Sequence, residues 1–177
     1  MPAWTEPDKD IMQKIVNILL AMLAASAVLP AAGQLRQQSE LTLDGANRLT
    51  GAAVDTCRRQ DRAIVVTVLD RGGNLMALQR ADGVGPHNTE ASRRKAYTAL
   101  STRTATLDLA RRALADPDSR NLATLPELLL LGGGVPLLVH GQPVGAIGVA
   151  GGGGAVNDHA CALSAIGTLP DLDQPVR

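Results

Sequence analysis

The chain has 177 residues, and its 17 Lys and Arg balance 17 Asp and Glu, so its formal net charge is zero. That length suits one domain, and a neutral chain offers no field for nucleic acid or an anionic membrane. It has no Phe, one Trp and one Tyr, so it lacks the aromatic platforms on which bases stack and must build its core from Leu, Val, Ile and Ala.

The N-terminus reads as an export leader. Lys14 precedes an apolar run from Ile15 to Leu29, broken only by Asn17 and Ser26, and Pro30-Ala31-Ala32-Gly33 follows. A basic residue, an apolar stretch and small residues at a cut site form the signal-peptide pattern. We expect residues 1–33 to be removed after Gly33, with Met12 an alternative start, and the mature protein to be periplasmic or secreted. The apolar run is shorter than the roughly 20 residues of a spanning helix, so no membrane span is expected after cleavage.

From Thr42 the pattern becomes helical. Thr42 or Asp44 can cap the start, and Ala46, Leu49, Ala53, Val54 and Cys57 recur at three-four spacing. Ala63 to Leu69 is a β-branched run that predicts a buried strand. Asp70-Arg71-Gly72-Gly73-Asn74 is turn chemistry, and Leu75 to Gln79 completes a hairpin. After the breakers Asp82-Gly83 and Gly85-Pro86, a helix is expected from Asn88 or Thr89 to about Leu100. Another follows from Thr106 to Ala115, stopped by Pro117, and a helical turn is expected at Leu125 to Leu129. Val135 to His140 and Val144 to Ala150 predict a second hairpin, and Val156 to Ile166 a last helix. The tail, residues 170–177, reads as disordered. Two hairpins interleaved with helices imply an α+β fold, an antiparallel sheet with helices packed on it.

Several motifs in this order resemble the GlcG/HbpS-like family of small haem-binding or haem-degrading-type domains. They are Val68-Leu69-Asp70-Arg71-Gly72-Gly73, Arg80-Ala81-Asp82-Gly83 and the segment Ala91 to Ala99. Gly133-Gly134-Val135-Pro136, Gly141, Gly145-Ala146-Ile147-Gly148-Val149 and Asp158 complete the set. Together they span about residues 41–168 of a domain placed at 34–169. The resemblance implies a profilin-like fold and assembly into homo-oligomers. Some members bind haem, one kind serves an extracellular redox sensor, and another is encoded with glycolate-utilisation enzymes. The chain departs from the pattern at Ala150-Gly151, where the family often has Ser-Gly, and in its four consecutive glycines.

The candidate site has two walls. Gly151, Gly152, Gly153 and Gly154 lead into the last helix, where unpaired backbone N–H groups can hold an anion; a plain turn is the structural alternative. No Gly-Lys-Ser/Thr occurs, so the loop is not a P-loop. The other wall runs from His87 through Glu90 and Arg94 to Lys95. A neutral imidazole at His87 could ligate haem iron while Arg94 or Lys95 met the propionates. Lys95 sits on the apolar side of its helix, where burial would lower its pKa, or it snorkels outward. Lys95 and Asp158 are the candidate acid/base residues, although Asp158 also suits the helix dipole. His140 is expected on the surface. His159 and Cys161 do not form a zinc spacing, so no metal site is expected. No Cys-x-x-Cys-His occurs, which excludes covalent haem. Cys57 and Cys161 read either as a disulfide, permitted after export, or as a buried free thiol and its counterpart.

These observations point first to an exported protein that binds haem non-covalently, or a related anionic ligand. The alternatives are an enzyme or accessory subunit acting on a small carboxylate or hydroxy acid, and an oligomeric structural or interaction protein.

Overall fold

The computed structural model describes residues 1, 8–24, 33 and 36–174. It divides into two units, Met1–Gln37 and Gln38–Arg177. The first carries α1 (Lys9–Ala24). Most of the expected cut site, including Ala31, lies outside the described residues. Among the described residues no helix is long and apolar enough to cross a membrane.

The second unit is α2 (Leu43–Arg58), β1 (Val65–Asp70), β2 (Leu75–Arg80), α3 (His87–Thr102), α4 (Thr106–Ala115), α5 (Pro117–Arg120), β3 (Gly134–Val139), β4 (Gln142–Ala150) and α6 (Ala155–Ile166). The four strands are all antiparallel in the order β2-β1-β4-β3. Each hairpin pairs its own strands, and β1 against β4 joins the two. This is the expected α+β arrangement.

Period-two alternation on the two central strands feeds both faces. Val66, Val68, Ile147 and Val149 enter the larger core, beneath Ala46, Leu49 and Ala53 of α2 and Ala162, Ala165 and Ile166 of α6. Leu69 and Ala146 point the other way, toward Ala96 and Ala99 of α3. That second face is thinner and more polar: Thr67 Oγ1 lies 2.7 Å from Ser92 Oγ in a buried pair. α3 packs close because β4 offers Gly148, where a Cβ would stand 2.6 Å from the Ala96 amide and 3.0 Å from its Cβ. Sheets buried on both faces carry near-continuous apolar strands, which is why β1 reads as one β-branched run.

Thr42 caps α2, its hydroxyl accepting from the Gly45 N–H at 3.1 Å. Cys57 and Cys161 form a disulfide between α2 and α6, with Cα atoms 5.9 Å apart, so the free-thiol alternative is set aside. One short helix is added and two further expectations are corrected. Pro117 ends α4 but also opens α5, since Asp116 caps it and Pro is tolerated at the first helical position. The turn expected at Leu125 to Leu129 occurs instead as a 3₁₀ turn at Asn121–Thr124. Pro126 forces the preceding Leu125 into extended backbone, at ψ 119°. The tail is ordered to residue 174: Leu172 is buried, and the Asp173 carboxylate accepts from the His140 and Gly141 amides at 2.9 and 2.7 Å. Residues 175–177 lie outside the described set.

Candidate ligand groove and the ion pair behind it

Antiparallel pairing puts Val65 of β1 opposite Ala150 of β4. The residues just before β1 and just after β4 therefore meet at one end of the sheet. There Arg62 donates from Nη1 to the Gly152 carbonyl at 2.9 Å. Asp61 makes the turn out of α2 in the left-handed region, at φ 55°, a conformation Asp tolerates better than most residues. The β2–α3 loop closes the third side. The result is an open groove of about 540 Å³, walled by Gln60 to Ala63, Gly83 to Gly85 with Asn88, and Gly151 to Gly153 with Asn157.

The glycine wall is built by strain that only glycine accepts. Gly151, Gly153 and Gly154 have φ of 103°, 84° and 134°, in the region that favours glycine. The next residues begin α6, and Gly154 caps it without a side-chain bond. Asn157 Nδ2 donates back to the Gly153 carbonyl at 3.2 Å. Only Ala63 and Val84 are apolar in the lining, and Asp61 sets one acid against the one base, Arg62.

Directly behind this wall lies a buried charge pair. Lys95 Nζ donates to Asp158 Oδ2 at 2.7 Å and to the Val149 carbonyl at 2.9 Å. The other carboxylate oxygen, Oδ1, accepts from the Gly152 N–H at 2.7 Å. Lys95 is 1% exposed and Asp158 4%. Burial pushes the Lys95 ammonium below the usual lysine range, against the opposing pull of Asp158. Gly133 and Gly134 make room for the pair. A Cβ on Gly133 would stand 2.8 Å from Asp158 Cβ and 3.2 Å from Lys95 Nζ, and one on Gly134 would overlap the Lys95 carbonyl.

The structure sorts the expected site residues. Gly151, Gly152 and Gly153 line the groove; Gly154 is exposed beside it but is not part of the wall. His87 is exposed at the start of α3, between the lining residues Gly85 and Asn88. Its ring folds over Gly85, whose Cβ position would be 3.1 Å from His87 Cε1. Glu90 turns away and holds Arg93 in an exposed ion pair at 2.6 Å. Arg94 donates to the Leu128 carbonyl at 2.7 Å, outside the groove. Lys95 and Asp158 are brought together, bonded to each other, and neither is among the groove's lining residues. His140 is exposed, as expected. His159 is half-buried, with Nδ1 unpartnered. Among the described residues no group of three or more His, Cys, Asp or Glu is placed to hold a metal ion.

Arg62, Asn88 and Asn157 were missed by the sequence reading. Arg62 follows an ordinary helix-ending charge cluster, and only the β1–β4 register brings it to the glycine loop. Asn157 carried a signal, since it lies three residues after Gly154 in the first turn of α6.

A family model described as haem degrading protein HbpS-like matches residues 41–167. The chain belongs to the HbpS-like family. Within it, the chain is 30% identical over 119 residues to an uncharacterised 15.0 kDa protein of the dhaT–dhaS intergenic region of Citrobacter freundii, covering 66% of this chain and 84% of that one. It is 34% identical over 104 residues to protein GlcG of Escherichia coli K12, covering 59% and 76%. Among solved structures, HbpS superposes with a TM-score of 0.72 at 37% identity, over 80% of this chain and 99% of that one. Klebsiella pneumoniae ORFY superposes with a TM-score of 0.74 at 26% identity, over 80% and 98%.

Proposed function

We propose that this protein binds haem, or a related anionic small molecule, non-covalently at the groove beside Gly151–Gly153. The observation that carries the reading is the convergence there of a cation, Arg62, an exposed imidazole, His87, at the rim, and a positive-φ glycine wall. Membership of the HbpS-like family supports it, as does a fold neighbour, 24% identical, solved as a PduOC–haem complex.

The residues present fit the polar edge of a haem. His87 would hold the iron, and Arg62 would hold a propionate by a charge-assisted bond. A bound haem supplies iron-centred redox chemistry. Ligand pockets are normally lined by apolar and aromatic groups; the apolar lining residues of this groove are Ala63 and Val84, so it would hold a haem chiefly through polar groups. Self-association belongs to the same reading, because Leu75 and Leu78 on the edge strand β2 are exposed.

Titrating the purified protein with haemin should shift the Soret band. His87→Ala should abolish the ligated spectrum, and Arg62→Ala should weaken binding about tenfold, equivalent to roughly 1.4 kcal/mol. No shift in the unsubstituted protein would sink haem as ligand, and unchanged binding in both variants would sink the groove.

Export is the second half of the proposal. The leader pattern supports it, and so does the Cys57–Cys161 disulfide, a bond that persists in oxidising compartments. N-terminal sequencing of protein recovered outside the cytoplasm should begin at Gln34; an intact leader would overturn export.

A further inference from the structure

We infer that the Lys95–Asp158 pair is a positioning device: it holds the Gly151–Gly154 loop in the shape that walls the groove. The inference rests on the ligand-binding reading for its functional half and stands on geometry for its structural half.

The glycine loop has little of its own to hold it. Three of its four residues sit at positive φ, and Gly151, Gly153 and Gly154 are exposed. A glycine-rich segment pays the largest conformational entropy on ordering, so some external contact must select one shape. Gly152 is the buried member, and its contacts are on both sides. Its carbonyl accepts from Arg62, and its N–H donates to Asp158 Oδ1. Arg62 belongs to the groove itself, so the contact from the protein interior is the Asp158 carboxylate.

Asp158 in turn is held on its other oxygen as well. Its second oxygen is bound by Lys95 Nζ, and the same ammonium binds the Val149 carbonyl one residue before the end of β4. One side chain from α3 therefore ties the end of the strand to the start of the helix, and the loop runs between those two points. Behind the pair, Gly133 packs against both side chains, its Cβ position 2.8 Å from Asp158 Cβ and 3.2 Å from Lys95 Nζ. A buried ion pair is a weak source of stability, since desolvation offsets its attraction; fixing one geometry is the best-attested reason to keep one.

The test separates stability from positioning. Lys95→Met with Asp158→Leu replaces the pair by apolar groups of similar volume, a change that is often tolerated, and removes the acceptor for Gly152. Hydrogen exchange followed by NMR should show the Gly152 amide protected at least tenfold over Gly153 and Gly154 in the unsubstituted protein. In the double variant that protection should be lost while the β1 and β4 amides stay protected, and haemin affinity should fall at least tenfold. Asp158→Asn keeps an oxygen for the Gly152 N–H, and should retain most of the Gly152 protection. Equal exchange across the loop in the unsubstituted protein, or protection unchanged in a folded double variant, would overturn the inference. Where the double variant does not fold, the unsubstituted exchange pattern and Asp158→Asn decide it. If haemin does not bind the unsubstituted protein, the ligand reading fails while the exchange result still judges the latch.

Discussion

The chain has two glycine clusters, and they serve opposite purposes. Gly132–Gly134 is buried, and a Cβ at any of the three would meet an atom closer than 3.0 Å. Gly151–Gly154 is mostly exposed; a Cβ on Gly154 would meet nothing within 4 Å, and one on Gly153 only Asn157 Nδ2 at 3.8 Å. The first cluster is glycine chiefly for want of room, with Gly133 also at φ 123°; in the second, Gly151, Gly153 and Gly154 turn with positive φ, while a Cβ on Gly152 would stand 2.7 Å from Asp158 Oδ1. Runs that look alike in sequence thus differ in their balance of packing and conformation, and the Lys95–Asp158 pair touches Gly133 of the first and Gly152 of the second.

The sharpest way to break this comparison is to add one methyl group to each cluster. Gly134→Ala places its Cβ into the Lys95 carbonyl and 2.7 Å from Thr106 Cγ2, so α3 must move off the strand. We expect a loss of about 3 kcal/mol or more, at the upper end of overpacking costs, or failure to fold. Gly153→Ala meets open space but keeps φ at 84°, and should cost only about 1 kcal/mol. Chemical denaturation of the two variants measures both; equal losses would show that one cause governs both clusters.

A smaller effect sharpens the view of α6 as an element with a buried flank behind an exposed loop. Burial holds the His159 imidazole below its ordinary value of 6.5, with Asp108 opposing and Arg111 assisting. Above pH 6.5 the ring is neutral folded or unfolded and contributes nothing. As pH falls below 6.5 the unfolded chain takes up a proton that the native ring resists, so stability falls. One such group gives a slope of at most about 1.4 kcal/mol per pH unit. Denaturation between pH 7 and 5 should show that loss, and His159→Gln should flatten it; an equal slope in the variant would place the titration elsewhere.

Most of the fold was legible because it rests on local periodicity. The β-branched run at Ala63 to Leu69, the three-four spacing of α2 and the turn residues between strands each report a short stretch of backbone. α4 is found at the expected residues, and the other expected helices and strands lie within about two residues of theirs. The misses arose where one residue carried two signals or where order rests on a distant contact. Pro117 both ends a helix and suits the start of another, and the ordered tail depends on Asp173 finding two amides of the β3–β4 turn. The site was legible only in part. Lys95 and Asp158 drew attention as charged residues at apolar or helix-start positions, yet a pair 63 residues apart leaves no periodic trace.

The sequence by itself determined the elements, their order, the family and the need for glycine in two clusters, because propensity, turn chemistry and alternation are properties of neighbouring residues. Tertiary structure decided which glycines are crowded and which bend the chain, that Cys57 meets Cys161, that Arg62 reaches the glycine loop, and that Lys95 pairs with Asp158. Those outcomes depend on strand register and on the distance between layers. Both are set only when the sheet is paired and its two faces are covered.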